Sequence, residues 1–230
     1  MSGSWVEFGV AFGLFMASHM IPTRGNLKPR LVAVLGQRGF TVAYSLLSLV
    51  LLAWLIVAAG NAPFVALWDQ ALWQRWLVNL VMPLAVLLGV FGVASPNPLS
   101  FGGRKSGFDP DHPGVVGIAR HPLLWAMVLW SGAHMLVNGD LAHVILFGSF
   151  LLFAGLGTKA IDRRNQRLMG QAVWEGLARN TSAFPFAAVL AGTQIGRPTF
   201  RSAVLLAIAA VIWLALLLLH QPVIGVAPLP

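Results

Sequence analysis

The chain has 230 residues, of which 57% are hydrophobic and only 10% charged, and its formal net charge is +8. A water-soluble domain usually carries about 25% charged residues, so this chain has too few to cover a water-facing surface. Cysteine is absent, which excludes disulfides, thiolate zinc sites, iron–sulfur clusters and cysteine nucleophiles.

Six apolar stretches follow one another: Trp5–Pro22, Gly39–Ala59, Trp76–Ser95, Pro122–Val137, Leu141–Ile161 and Ser202–His220. A spanning helix needs about 20 apolar residues, so the fourth is short and is expected to run back through Gly117–His121 or to tilt little. Met1–Ser4 carries no positive charge and no cleavage pattern follows Pro22, so the first stretch is expected to be a retained helix rather than a signal peptide. No polar linker divides the stretches. Residues 1–230 therefore read as one integral membrane domain, all-α: a polytopic bundle of about six transmembrane helices with an amphipathic or re-entrant segment before the last.

The basic residues orient this layout. Fourteen of the fifteen Lys and Arg side chains fall on one side, thirteen in the segments after the first, third and fifth stretches and Lys159 in the last turn of the fifth, and only Arg75 falls on the other side. Positive charge marks the cytoplasmic face, so both termini are expected on the periplasmic side of a bacterial inner membrane. Basic residues in short loops beside a bilayer meet anionic lipid, and nucleic acid is not expected as a partner.

Two of the cytoplasmic segments are long. Pro96–Arg120 is rich in Gly and Pro and includes Phe108-Asp109-Pro110-Asp111-His112-Pro113; it is not expected to form a helix. In Arg167–Gly196, Leu168, Val173, Trp174 and Leu177 form a rough helical stripe. That pattern predicts an interfacial helix, then a turn, then a short dip of residues 184–195 into the membrane, too short to span. The alternative, that 184–195 spans, would reverse the last helix.

Ionisable residues inside apolar stretches are functional candidates by default. His19 lies near the cytoplasmic end of the first stretch, His121 follows Arg120 at the start of the fourth, and His134 lies in its outer half. The plain readings are a buried interhelical hydrogen bond for His19 and His134, and a helix-start cap facing headgroups for Arg120 and His121. His143 and His220 read as interfacial, His112 as solvated, Asp140 as a turn residue and Asp162 as a solvated helix end. The functional reading is haem: imidazole is a common axial ligand. Gly132 and Ala133 beside His134, and Gly13 and Ala17 before His19, leave room for a porphyrin.

The order and spacing of several short motifs resemble a known family. They are Ser18-His19, Tyr44-Ser45-Leu46, Arg120-His121-Pro122, Ala133-His134, Asn138-Gly139-Asp140-Leu141, Leu146-Phe147-Gly148-Ser149-Phe150-Leu151, Thr181-Ser182 and Pro185-Phe186-Ala187. From about Phe12 to Gly196 the chain resembles the NnrU family of bacterial membrane proteins, whose plant relative is zeta-carotene isomerase. The resemblance implies haem b held by two histidines, here His19 and His134, with His121 also preserved. It further implies redox-dependent cis–trans isomerisation of a lipid-soluble substrate such as a carotenoid, and an association with denitrification. At 1.5 Å rise per residue, His19 lies ~5 Å and His134 ~18 Å from the cytoplasmic boundary. The pairs His19 with His121 and His134 with His143 therefore stay open.

Two other classes compete. Arg120-His121-Pro122 before a span, with an acidic residue after the next, is similar to membrane methyltransferases that use S-adenosylmethionine. Leu124 and Ala126 stand where that group has Tyr and Gly, and Asp162-Arg163 stands where it has an acidic pair. The third reading is a non-enzymatic partner of a denitrification or respiratory complex.

Overall fold

The computed structural model describes residues 3–20, 27–104, 106–196 and 199–229. The secondary structure is helical, with two isolated β-bridges and no longer strand among the described residues. The chain forms two compact units, one of Met1–Asp69 with Gly139–Leu146 and one of Gln70–Asn138 with Phe147–Pro230.

In the first unit, α1 (Trp5–Met20) is started by a capping arrangement at Ser4, whose Oγ accepts from Glu7 N at 3.0 Å. It packs against α2 (Leu27–Asn61), burying Phe8, Ala11 and Phe15 on one side and Phe40, Leu55, Ala58 and Ala59 on the other. Gly36, at φ 70° and ψ 163°, breaks α2 into two helical parts, a conformation glycine adopts without a Cβ penalty. The Gly139-Asp140-Leu141 segment closes this unit. Gly139 O accepts from Leu67 N at 2.8 Å and Trp68 N at 3.2 Å, and Leu141 N donates to Val65 O at 2.9 Å. Asp140 is buried and is more than a turn residue, because its Oδ1 accepts from His143 N (3.2 Å) in the first turn of the helix that follows.

In the second unit, α3 (Leu72–Ala94) packs against α5 (Pro122–Asn138) and α9 (Phe200–Ile224). A Cβ on Gly92 of α3 would come within 2.9 Å of Pro122 Cγ, so a glycine permits the α3–α5 approach. α6 (Leu141–Met169) meets α5 through an aromatic cluster, with Trp130 ring centroids 5.3 Å from Phe147 and 5.7 Å from Phe150. α9 starts at a Thr199 cap and ends at Gly225 in the left-handed conformation. It is apolar all round and exposes nearly every large side chain, as a helix facing lipid does.

Among the described residues, α2, α3, α6 and α9 are long and apolar enough to cross a membrane. The protein is thus an all-α, multi-pass membrane protein. α1 and α5 are apolar but have 16 and 17 residues.

Two expectations need correction, and one gains a detail. The 96–120 segment does not form a helix along its length, but it holds the single turn α4 (Val115–Ile118) after Gly114, with Val116 fully buried. Pro113 precedes this turn and no proline lies within it, so its donors are intact. The fourth span does not run back through 117–121, because Ala119 is extended at φ −149° and ψ 123° and α5 opens at Pro122. Proline disfavours helix in the residue before it and suits the first helical position. α6 continues to Met169, eight residues past the end of the apolar run, because the segment 162–169 contains no Pro or Gly to stop it. Further on, α7 (Gln171–Ala178) is a helix, and the apolar run after it holds only the single turn α8 (Ala187–Leu190), far short of a span.

Candidate functional site

The start of α5 carries a buried polar network. The chain is extended at Ala119, just after α4, and runs beside 182–186: Arg120 N donates to Ser182 O at 2.8 Å, and Phe186 N to Ile118 O at 2.7 Å. That placement directs the Arg120 side chain inward. Its Nη1 donates to Asp162 Oδ2 at 2.5 Å, its Nε to Thr181 Oγ1 at 2.8 Å, and its Nη2 to Thr181 O at 3.2 Å. The guanidinium also lies over the Trp174 ring, 4.9 Å from its centroid.

The neighbouring His121 is 0% exposed. Its Nε2 lies 3.1 Å from Asp162 Oδ1 and its Nδ1 3.0 Å from Ser100 Oγ. An ionised carboxylate only accepts, so Nε2 carries the proton toward Asp162, and in the neutral ring the Ser100 hydroxyl donates to Nδ1. Asn97 Nδ2 donates to Arg120 O (2.9 Å), Leu99 N donates to Asn97 Oδ1 (3.0 Å), and Asn165 Nδ2 donates to Leu99 O (2.6 Å). Asn97, Ser100, Arg120, Asp162, Asn165 and Thr181 are all buried. Buried charge survives only when paired and hydrogen-bonded, and here each carboxylate oxygen of Asp162 has a donor. Trp174 Nε1 is a buried donor without a partner among the described residues.

Two sequence readings are thereby corrected. Asp162 is not a solvated helix end: its position on α6 turns it toward Arg120 and His121, while Arg163 and Arg164 are exposed. Arg120 and His121 do not face headgroups as a helix-start cap. Asn97, Ser100 and Asn165 carried no sequence signal of their own, and Thr181 carried one only as part of the Thr181-Ser182 motif. Asp162 did carry one, as the acidic residue following the span after Arg120-His121-Pro122.

His19 and His134 share a different local geometry, each within its own unit. The Nδ1 of His19 lies 2.8 Å from Phe15 O, and that of His134 lies 2.8 Å from Trp130 O. A carbonyl only accepts, so Nδ1 is the protonated nitrogen and Nε2 holds the lone pair. No hydrogen bond reaches either Nε2 among the described residues. Aromatic rings flank both imidazoles: Phe15 (4.4 Å) and Tyr44 (5.9 Å) for His19, Trp130 (5.7 Å) and Phe147 (5.2 Å) for His134. His121 differs, since both of its ring nitrogens are engaged.

The remaining histidines pair locally. His143 Nδ1 meets both Asp140 oxygens at 2.9 and 2.8 Å, and His220 Nδ1 meets Val226 O at 2.8 Å. The exposed His112 meets Asp109 Oδ2 at 2.8 Å. Asp109 holds the His112 imidazolium above its ordinary range, mainly through that hydrogen bond, and the same bond holds Asp109 below the usual carboxylate range. No group of three or more His, Asp or Glu side chains placed to hold a metal ion occurs among the described residues.

A family model described as NnrU protein matches residues 7–228. The chain belongs to the NnrU family. The match runs beyond the 12–196 region that carries the motifs, taking in α9 and nearly all of α1. No curated protein and no solved structure matches the chain.

Proposed function

We propose that this NnrU-family membrane protein binds haem b through His134 and His19 and acts on a lipid-soluble substrate. The observation that carries the reading is the Nδ1 contact to the carbonyl four residues earlier, made by both histidines. Histidines that ligate a metal commonly donate their other ring N–H to a backbone carbonyl, which fixes the tautomer and aims Nε2 at the metal. The residues fit the group in a second respect: the aromatic side chains around both rings present an apolar environment that suits a porphyrin.

Held by His19 and His134, haem b would supply a redox-active iron. The chain's own contribution is to hold the two imidazoles in one tautomer, exclude water with apolar and aromatic side chains, and admit substrate from the bilayer. Near His134, α3 and α5 leave an open apolar cavity of about 280 Å³, lined by Met82, Ala85, Phe101, Leu123, Met127 and Trp130. Trp130 touches both this cavity and the His134 ring. Cis–trans isomerisation of a carotenoid, the chemistry that the resemblance to the plant relative implies, would suit such surroundings.

The same reading has α1 and α5 cross the membrane alongside α2, α3, α6 and α9, with both termini periplasmic in a bacterial inner membrane. Its support is the confinement of basic residues to alternate connections. His121 serves the Arg120–Asp162 network in this account and is not an axial ligand. For the methyltransferase alternative, the meeting of Arg120, His121 and Asp162 is the favourable observation. Their hydrogen bonds, however, are directed at one another and at Ser100 and Thr181, which favours a structural keystone over a cofactor clamp. Visible spectra of the purified chain, oxidised and reduced, test the haem reading.

A further inference from the structure

The corner between α6 and α7 carries a charge arrangement that the haem reading does not use. Arg163, Gln166 and Arg167 recur at three- and four-residue spacing, so they share one face of α6. α6 ends at Met169, Gly170 at φ 84° breaks the helix, and α7 starts at Gln171. Arg163, Gln166, Arg167 and Gln171 together line an open notch of about 360 Å³. The first backbone N–H groups of α7, which have no intrahelical acceptors, belong to this corner.

The notch is uncompensated positive charge. Among the described residues, neither Arg163 nor Arg167 makes an ion pair or a side-chain hydrogen bond. The nearest carboxylate in sequence, Asp162, is turned into the protein and held by Arg120 and His121. Glu175, one turn along α7, accepts from Gln171 Nε2 at 2.6 Å and pairs with neither arginine. The apolar part of α6 is long enough to cross a bilayer, so its charged end emerges at the headgroup level.

We propose that this notch binds a phosphate group, with Arg163 and Arg167 as the paired donors and the Gln166 and Gln171 amides as neutral hydrogen-bonding groups. Guanidinium forks match phosphate oxygens geometrically, and basic pockets at the cytoplasmic ends of membrane helices suit lipid headgroups. The phosphate can be that of an anionic phospholipid or of a soluble compound, since both present the same oxygens.

The test uses the full chain and two charge-matched double variants. R163Q/R167Q alters the notch, and K159Q/R164Q removes the same charge from the same helix end outside it. Each protein is reconstituted in phosphatidylcholine containing a minority of phosphatidylglycerol, extracted in mild detergent, and its retained lipid weighed by native mass spectrometry. A parallel calorimetric titration of lipid-free protein uses inorganic phosphate.

Retention of one phosphatidylglycerol by the wild type and by K159Q/R164Q, lowered roughly fivefold or more in R163Q/R167Q, assigns the site to a headgroup. Saturable phosphate binding lost in R163Q/R167Q, without selective lipid retention, assigns it to a soluble phosphate compound. Equal losses in both variants, or neither signal in the wild type, overturn the proposal. All four altered side chains, Lys159, Arg163, Arg164 and Arg167, are exposed and lie outside the buried network, and unchanged melting of each variant verifies the fold.

Discussion

Arg120 Nη1 lies 2.5 Å from Asp162 Oδ2, bridging 42 positions of sequence, with both side chains nearly closed off from solvent. The pair joins the entry to α5 to the charged end of α6, and His121 and Thr181 complete it. Removing one member of a buried pair leaves the other charge uncompensated, at a cost of about 3–5 kcal/mol. Asp162→Asn is expected to lower the melting temperature of the detergent-solubilised protein markedly, and Arg120→Gln to do the same. The double variant should lose less than the two single losses combined, because the members of one network couple. Additive losses in the cycle would show that the two side chains act independently.

Gly139 stands at φ +67° with a Cβ position that would run into Trp68. Gly139→Ala combines left-handed strain of about 1–2 kcal/mol with that clash, and should destabilise the protein by at least that much. Gly176 on α7 has open space around it. Gly176→Ala should therefore stabilise by about 1 kcal/mol through helix propensity. Denaturant titration of both variants checks the opposite signs.

The spans were legible because long apolar runs carry their meaning locally, and α2, α3, α6 and α9 cover four of the six stretches. The network was not legible, because its members come from separate parts of the chain: Arg120 and Thr181 are 61 residues apart. Asp162 stands beside Arg163 and Arg164, and this neighbourhood suggested a solvated helix end. Only the rotation of α6 decides that Asp162 faces inward while the arginines face out. The helix after Pro113 was missed for a different reason, since prolines and glycines on both sides hid a single turn. His19, His121 and His134 were legible as candidates, but their separate hydrogen-bond geometries were not.

The exposed Asp109–His112 pair has a definite pH signature. The His112 imidazolium is held above the ordinary value by the Asp109 hydrogen bond first and its charge second, and Asp109 is held below the ordinary carboxylate value. A raised histidine contributes fully below its unfolded value of about 6.5 and loses that contribution as pH rises through the folded value. A depressed carboxylate contributes above about 3.9 and loses its contribution as pH falls through the folded value. Their interaction therefore operates between these limits. NMR titration should place the His112 midpoint above that of an unperturbed histidine, and Asp109→Asn should return it. An unchanged midpoint in the variant would remove Asp109 as the cause.

The orientation has its own check, helped by a chain without cysteine. Single cysteines at Phe64 and Gly176 both replace exposed residues. In intact cells whose outer membrane has been opened, an impermeant thiol reagent should label Phe64→Cys, and should label Gly176→Cys only after the inner membrane is broken. The reverse pattern would invert the proposed topology.

The central claim is that His134 and His19 each present a free Nε2 to a haem iron. The most direct measurement is the pair of oxidised and dithionite-reduced visible spectra of the purified protein, expressed with haem supplementation, for the wild type, His19→Ala and His134→Ala. The account predicts sharp reduced bands of a bis-histidine b-type haem in the wild type, lost in both variants while their melting temperatures hold. A colourless wild type, or bands that persist in either variant, would contradict it.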